Sequence, residues 1–263
     1  MGIRMNKWLL IVILSLATLI AAGCAGLTGP SRVVNVGMAT NYPPLAFQKE
    51  GELKGMEVDF AHALGESLNA TINIKTYSWQ ALFEALDTGE IDVVMSGVSV
   101  TDARKEKVLF SNPYMDVGQM AIIRSADAGR LAAKAQLMSG NYRVGYSLNT
   151  TGQKFVTEQL KSAPQIGFAT QQDGIDALLN NKVDYFIHDA PTVWQLTSSY
   201  PTDERLFGLY APLTEEHLAW AVNKENAALQ QELNEALGEW SENGFLKQTV
   251  SKWIPVSVVL SAE

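Results

Sequence analysis

Cysteine is nearly absent from this 263-residue chain, which carries a single one, Cys24. One cysteine excludes an intramolecular disulfide framework. Histidine is scarce as well, and His62, His188 and His217 are scattered along the chain without the spacing of metal ligands. The sequence therefore predicts neither a metal site nor another cofactor.

Positive charge is in deficit, because 20 lysines and arginines stand against 28 aspartates and glutamates, a net charge of −8. This balance argues against nucleic acid as a partner. The chain also lacks a P-loop, and residues 145–149 lack the final glycine of a nucleophile elbow. Apolar residues make up 47% of the chain and charged residues 18%, which is typical of a globular protein large enough for two lobes.

Long hydrophobic runs are missing except near the N-terminus, at residues 8–22. Arg4 and Lys7 precede this run, and the small residues 21–23 follow it. A charged segment, an apolar segment and a small-residue cleavage site are the parts of a secretory signal peptide. We therefore assign residues 1–23 to a signal peptide.

Cys24 follows the small residues directly, which resembles a bacterial lipobox, in which the cysteine is lipidated and becomes the new N-terminus. Ala21 departs from that pattern, since leucine is usual there. Residues 24–31 contain two glycines and a proline and are interpreted as a short lipid-anchored tether. The alternatives are an unlipidated secretory signal with an incidental cysteine, or an uncleaved membrane anchor.

The residues after the tether alternate between apolar strand patterns and amphipathic helix patterns. In the first half, strands are predicted at 32–38, 71–74 and 90–94, with helices at 56–68 and 79–87. Short connections in a β-α-β-α-β order predict a parallel sheet flanked by helices.

The same pattern starts again after a strand at 117–123 and a helix at 129–138. Here strands are predicted at 142–146, 165–168 and 183–187, and a helix at 171–180. Residues 85–92 and 177–184 echo one another, each with Ala-Leu at a helix end, a turn, an aliphatic residue and Asp. The echo favours two similar halves, although so short a match also arises by chance. A long amphipathic helix is predicted at 226–243, with Leu229, Leu233, Leu237 and Trp240 as its apolar stripe, and a last short helix at 245–253.

The candidate site follows the third strand, at residues 95–104. The strand gives way to small polar residues, Thr101 has the chemistry of a helix N-cap, and Arg104 lies one turn into that helix. Hydroxyls, free N–H groups and a guanidinium together suit a carboxylate. Ligands of parallel sheets bind beyond the carboxyl ends of the strands, and Tyr42 and Trp79 follow two neighbouring strands. The alternative is a plain loop with a surface arginine.

These residues resemble a known family, the extracytoplasmic solute-binding proteins of the amino-acid family 3, which are receptors of ABC importers. The resemblance depends on the order and spacing of several short motifs: 42–47, 55–59, 95–104, 110–114, 149–151 and Asp189. It implies an α/β fold of the type II periplasmic-binding-protein class, with two lobes, two hinge crossings near 115–118 and 213–217, and closure around the ligand. Lobe 1 would comprise residues 32–116 and 217–263, and lobe 2 residues 117–216.

The resemblance also assigns roles to individual residues. Arg104 would pair with the α-carboxylate of an amino-acid-like ligand, and Asp189 would take its α-ammonium. Tyr42 and Trp79 would wall the side-chain pocket. The remaining predicted ligand-binding residues surround the carboxylate: Ser96, Gly97, Ser99, Thr150 and Thr151.

Other readings of these residues stay open. Asp189 precedes Ala190 and Pro191, which is a good N-cap position. Ser78 and Trp79 also fit a helix cap followed by a core aromatic, and Tyr42 also fits packing against its prolines.

Some positions depart from relatives of the family. Ala39 stands where several relatives that bind basic or amide side chains carry an acid, which argues against an arginine- or lysine-type ligand. Leu45 and Gly97 replace a common phenylalanine and a serine, so the identity of the ligand stays open.

The sequence therefore predicts a lipid-anchored, monomeric, extracytoplasmic receptor that delivers an amino-acid-like solute to ABC permease subunits. The main alternative is a secreted dehydratase acting on prephenate-like carboxylates, which would need a general acid that we do not find in the sequence. A third possibility is a ligand sensor that acts through a separate partner.

Overall fold

Two five-stranded β-sheets organise the chain in the computed structural model, which describes residues 32–198 and 204–254. The predicted signal peptide, Cys24 and the tether to residue 31 lie outside these ranges. Within the described ranges, no helix combines the length and the apolar character that a membrane crossing requires.

The strands are β1 (Val33–Ala39), β2 (Asn41–Tyr42), β3 (Ala46–Lys49), β4 (Glu52–Lys54), β5 (Thr71–Tyr77), β6 (Val93–Val94), β7 (Val108–Phe110), β8 (Met115–Val117), β9 (Gln119–Arg124), β10 (Val144–Ser147), β11 (Gln165–Phe168), β12 (Tyr185–Asp189), β13 (Leu206–Leu209), β14 (Glu216–Leu218) and β15 (Ala221–Asn223). The helices are α1 (Met56–Ser67), α2 (Leu82–Asp87), α3 (Asp102–Lys105), α4 (Ala128–Leu131), α5 (Lys134–Met138), α6 (Thr151–Gln159), α7 (Gln171–Leu179), α8 (Ala190–Ser198), α9 (Ala227–Glu242) and α10 (Phe245–Trp253).

The first sheet has the strand order β5-β1-β6-β15-β7. Strand β1 pairs in parallel with β5 and β6, and the connections between these strands run through α1 and α2. Val34, Val36 and Met38 of β1 are buried, as expected for a strand with helices on the sheet's faces. The predicted β-α-β-α-β unit is therefore confirmed.

The second sheet has the order β11-β10-β12-β9-β13 and repeats the same unit. Strand β10 pairs in parallel with β11 and β12, with α6 and α7 in the connections, while β9 runs antiparallel between β12 and β13. The fold is thus the two-lobed α/β architecture that the sequence predicts.

The sequence echo between the halves corresponds to one recurring contact. Asp92, at the start of β6, accepts a hydrogen bond at Oδ2 from the backbone N–H of Asn35 (2.7 Å), and its own N–H donates to the Asn35 carbonyl (2.8 Å). Asp184 does the same with Arg143, at 3.0 Å and 2.8 Å. Each aspartate links its own strand to the first strand of its parallel unit through two hydrogen bonds. The two halves therefore share this contact as well as the sequence motif.

The C-terminal helices cover the first sheet. The predicted stripe of α9 is buried, and Trp240 stacks on Phe60 of α1 with ring centroids 5.7 Å apart. Asn226 caps the helix, since its Oδ1 accepts from the N–H of Leu229 (3.2 Å). Gly244, with φ +81°, takes the left-handed conformation that separates α9 from α10.

Two predicted elements are each divided in the structure. The strand predicted at 117–123 becomes β8 and β9, because the two pieces pair with different partners: β8 with β14, and β9 with β12 and β13. The helix predicted at 129–138 becomes α4 and α5. Leu131 and Leu137 are six residues apart, so a continuous helix would point them about 120° apart. The break allows both leucines to enter the core.

Strands β8 and β14 are where the chain passes between the two sheets. In chain order β8 lies between β7 and β9, and β14 lies between β13 and β15. They pair antiparallel, with Met115 opposite Leu218 and Val117 opposite Glu216. The two passages therefore run side by side.

Candidate functional site

One cavity receives residues from both sheets, at the carboxyl ends of their parallel strands. About 560 Å³ of space, part of it open to solvent, lies between its atoms. Most of the predicted ligand-binding residues line it: Tyr42, Trp79, Gly97, Ser99, Arg104, Thr150, Thr151 and Asp189.

Ser96 lies behind the cavity wall. Its side chain is fully buried, and its Oγ accepts a hydrogen bond from the backbone N–H of Ala39 (3.0 Å). This contact ties the loop after β6 to the end of β1. Cys24, the predicted lipidation site, lies outside the described residues.

Arg104 is half-buried in α3, and Thr101 caps this helix as predicted, its side chain accepting from the Arg104 N–H. Nη1 donates to the Ser99 carbonyl (2.8 Å), and the guanidinium carbon lies 5.3 Å from the ring centroid of Trp79. Burial lowers the pKa of Arg104 to about 10, and the charge of Glu216 opposes this shift. The guanidinium therefore stays charged at neutral pH, and no carboxylate of residues 32–198 or 204–254 lies within ion-pair distance of it.

The loop beside Arg104 is fixed from behind by Glu57, a fully buried carboxylate of α1. Its Oε1 accepts from the Gly97 N–H (2.7 Å) and the Tyr114 hydroxyl (2.6 Å), and its Oε2 accepts from Trp220 Nε1 (2.9 Å). Glu57 thus holds the ligand-facing loop and residues next to β8 and β14 in one hydrogen-bonded cluster.

Gly97 has a φ of +63°, and a Cβ there would lie 2.4 Å from Leu45 Cδ1 and 2.8 Å from Tyr42 Cε1. The departures noted at Leu45 and Gly97 are therefore one packing arrangement, in which Tyr42 and Leu45 occupy the space of a side chain at position 97.

Asp189 ends β12 on the opposite wall. Its Oδ2 accepts from the Tyr42 hydroxyl and its Oδ1 from Gln119 Nε2, so the carboxylate points into the cavity rather than capping α8. Burial first, and then the charge of Glu216, raise the pKa of Asp189 well above its usual value. A cation placed beside Asp189 would favour its ionised form.

The two threonines at the start of α6 have different roles. Thr150 is the N-cap: its Oγ1 accepts from the Gln153 N–H (3.2 Å) and donates to the Ser147 carbonyl (2.7 Å). The Thr151 hydroxyl accepts from Gln119 Nε2 (3.0 Å), which leaves its own hydrogen available for a ligand. Of the pair, Thr151 is the better donor to a carboxylate.

Hydrogen bonds join the two walls across the cavity. Trp79 Nε1 donates to the Asn149 carbonyl (3.0 Å), and Gln80 Nε2 donates to the Ala169 carbonyl (3.3 Å). Trp79 is thus a wall residue whose indole spans the cleft, rather than a core aromatic. Ser78, before it, makes no side-chain cap.

Sequence reasoning missed several residues that shape the site. Gln119 holds Asp189 and Thr151 together, and its signal was an amide at the start of an otherwise apolar strand. His188 lines the cavity, and its Nδ1 accepts the Asp189 N–H (2.8 Å), so its proton is on Nε2. Burial lowers the pKa of His188 to about 4, so the ring is neutral at pH 7.

This arrangement can hold a small zwitterion. A fixed guanidinium lies on one wall and a carboxylate on the other, with backbone and hydroxyl donors around the guanidinium. Among the described residues, no group of three histidine, cysteine, aspartate or glutamate side chains is placed to hold a metal ion.

The two-lobed α/β fold and the charged cavity between its sheets agree with the family of extracytoplasmic solute-binding proteins that the sequence resembles. The profile of the bacterial extracellular solute-binding proteins, family 3, matches residues 34–256, and the chain belongs to this family.

Individual relatives agree with this assignment. The chain is 27% identical to a "probable histidine-binding protein" of Neisseria gonorrhoeae over 261 residues, covering 95% of this chain and 96% of the relative. It is 25% identical to the "ABC transporter arginine-binding protein 1" of Escherichia coli K12 over 252 residues, covering 92% and 98%. Among solved structures it is similar to the ancestral amino-acid-binding protein AncCDT-1, a precursor of cyclohexadienyl dehydratase, with TM-score 0.75, 25% identity and coverage of 91% and 98%.

Glu57 provides a pH-dependent test of the site's support. Burial raises the pKa of its carboxyl, and the hydrogen bonds from Tyr114, Gly97 and Trp220 offset this shift only in part. The contribution of Glu57 to stability is therefore full below its unfolded pKa, about 4.3, and is lost as the pH rises through its folded pKa. We expect the free energy of unfolding of the wild type, relative to that of Glu57→Gln, to fall between pH ~4 and pH ~7.5.

Urea unfolding of both proteins at the two pH values measures this change. Glu66→Gln, on the exposed face of the same helix, is the control. A difference between the wild type and Glu57→Gln that does not vary with pH contradicts the assignment.

Proposed function

We propose that this protein binds an α-amino acid, or a close analogue, between its two lobes and delivers it to an ABC-type permease. One observation carries the proposal: Arg104 and Asp189 lie on opposite walls of one cavity. Arg104 pairs with the ligand carboxylate, helped by Ser99, the Gly97 backbone and Thr151. Membership of family 3, and an ABC-transporter arginine-binding relative, support the transport role.

The proposed mechanism is closure around the ligand. Lobe 1 comprises residues 32–116 and 217–263, and lobe 2 comprises residues 117–216, so that β8 and β14 form the hinge. Asp189 and Thr151 move with lobe 2, and Arg104 with lobe 1. The ligand joins the two charges, and the Trp79–Asn149 and Gln80–Ala169 hydrogen bonds stabilise the closed form.

The proposed function is that of a receptor and not of an enzyme. A dehydratase needs a proton donor in the cavity, and Asp189 is the carboxyl that lines it. Both oxygens of Asp189 accept hydrogen bonds, from Tyr42 and Gln119, which prepares the group as an acceptor for a ligand ammonium. The resemblance to AncCDT-1 is the observation that favours the alternative, a dehydratase of prephenate-like carboxylates.

We place the protein outside the cytoplasm as a monomer, held at a membrane by a lipid on Cys24. The family is extracellular by description, and the sequence of residues 1–24 supports the signal peptide and the lipidation site.

Removal of the Arg104 guanidinium tests the binding site. A thermal-shift screen of the L-amino acids first identifies a ligand, since binding to the folded protein raises its melting temperature. Arg104→Ala leaves the ligand carboxylate buried without a partner and should weaken binding by roughly 3–5 kcal/mol. Titration calorimetry measures the loss, with Lys105→Ala, an exposed neighbour on the same helix, as the control. Equal affinity in the Arg104 variant and the wild type overturns the site.

Incubation with prephenate tests the exclusion of an enzyme. We expect no phenylpyruvate absorbance above that of a protein-free control, because both oxygens of Asp189, the carboxyl that lines the cavity, accept hydrogen bonds and are assigned to a ligand ammonium. Turnover that disappears in Asp189→Asn would establish the dehydratase instead.

The lipid anchor has its own test, mass spectrometry of the protein extracted from membranes of its host. The expected N-terminal peptide begins at a diacylated Cys24, and a Cys24→Ser variant is released into the soluble fraction. An unmodified Cys24 in the membrane-extracted protein would contradict the proposed lipid anchor.

A further inference from the structure

We propose that the cavity selects a ligand with an uncharged, hydrogen-bonding side chain, and that a carboxamide, as in glutamine or asparagine, fits it best. This inference rests on the proposed function, because it takes Arg104 and Asp189 as the partners of the ligand's main-chain groups. It concerns the remaining part of the cavity, which we term the side-chain end.

The side-chain end is defined by residues contributed from both walls. Gln80 and Ala169 meet there through their hydrogen bond, and the neighbours of each in the chain or the sheet complete it. Its residues are Ala39, Asn41, Trp79, Gln80, Ser147, Leu148, Ala169, Thr170 and Gln171.

This end carries hydrogen-bonding groups but no charge. Among the described residues that line the whole cavity, Arg104 and Asp189 are the charged ones, and His188 is neutral at pH 7. Position 39, at the end of β1, is an alanine that is 1% exposed, so the acid that several relatives with basic or amide ligands carry there is missing. An amide ligand of this protein would therefore be bound by other groups, which we identify as Gln171 and Ser147. A cationic side chain entering this end would lose its water without gaining a carboxylate partner, which is unfavourable.

Glu216 is a further carboxylate whose charge reaches the site, but it acts at the main-chain end. Its charge raises the pKa of both Arg104 and Asp189, the two groups assigned to the ligand's main chain. Its Oε1 accepts from Thr214 Oγ1 (2.7 Å), on the β14 side of the site, and Glu216 does not line the cavity. We therefore infer that the negative charge of Glu216 favours binding of the ligand's ammonium group.

Two polar atoms of the side-chain end have no hydrogen-bond partner among the described residues. Gln171 Oε1 and Ser147 Oγ are both buried, and Ser147 as a whole is 8% exposed. A buried carbonyl oxygen without a donor is unfavourable, and a ligand N–H would supply the donor. The Ser147 hydroxyl can both donate and accept, and the His188 ring offers its Nε2–H.

A carboxamide matches this set of groups. Its NH₂ group donates to Gln171 Oε1, and its carbonyl accepts from a hydroxyl or an imidazole N–H. Leucine has nearly the shape of asparagine but would leave these groups unpaired, and sites built for hydrogen bonds reject such isosteres strongly. Arginine, lysine and glutamate would place an unpaired charge at the same end.

Titration calorimetry of the wild type against glutamine, asparagine, leucine, arginine, lysine and glutamate tests the inference. We expect the better amide ligand to bind at least 100-fold more tightly than leucine, and at least tenfold more tightly than any of the charged amino acids. Arginine, lysine or glutamate binding as tightly as the amides overturns the inference while leaving the proposed function intact. If none of these amino acids binds, both the inference and the proposed function are overturned.

Gln171→Leu locates the selectivity. It should weaken amide binding at least tenfold and leave the weak affinity for leucine unchanged or improved. Gln172→Leu is the matched control, because this exposed neighbour on α7 does not line the cavity and should bind amides as the wild type does. An equal loss for amides and leucine in the Gln171 variant would indicate general damage to the cavity and contradict the assignment.

Discussion

The Arg104 guanidinium is held away from most of its water, and no carboxylate of the described residues lies beside it. The rest of the site is arranged around this buried charge. Burial of an unpaired charge is costly, and the fold offsets this cost only in part, through the carbonyls of Ser99 and Asn149 and the face of Trp79. The loop that carries Arg104 is itself fixed by the buried carboxylate of Glu57. The protein thus maintains an anion site that its own residues leave unfilled.

The opposite wall presents the complementary problem. Burial and the charge of Glu216 raise the pKa of Asp189, so the ionised form of this carboxyl is unfavourable without a cation beside it. A zwitterion resolves both deficits at once, and it can do so only when the two walls are close together. Because Arg104, in α3, and Asp189, at the end of β12, lie on opposite walls of the cavity, we propose that satisfaction of the charges and closure of the cleft are one event. Such coupling shifts the population toward the closed form by as much as the ligand prefers it.

The sequence predicts the parallel sheets well, because buried strands and amphipathic helices leave clear apolar periods at β1, α1 and α9. It also predicts the loop at Arg104, since a strand end, a capping threonine and an arginine are all local signals. The duplicated aspartates, Asp92 and Asp184, were visible as a weak echo, and only the structure shows that each makes the same contact with a first strand.

The features that sequence reasoning missed are long-range contacts. Gln119 and Glu57 lie 70 and 40 residues from the groups that they hold, Asp189 and Gly97, so the sequence around either residue does not identify its partner. Ser96 was predicted to bind the ligand, and in the structure its buried hydroxyl accepts a hydrogen bond from the Ala39 N–H, 57 residues away in the sequence. The breaks between β8 and β9 and between α4 and α5 follow from tertiary pairing and packing, which propensity does not contain.

A crystal structure of the protein with its bound ligand shows whether one molecule bridges Arg104 and Asp189. We expect the ligand's carboxylate oxygens about 2.7–2.9 Å from the Arg104 guanidinium and its ammonium nitrogen at a similar distance from Asp189. A ligand bound elsewhere, or bound in this cavity with either residue turned toward solvent, would contradict it.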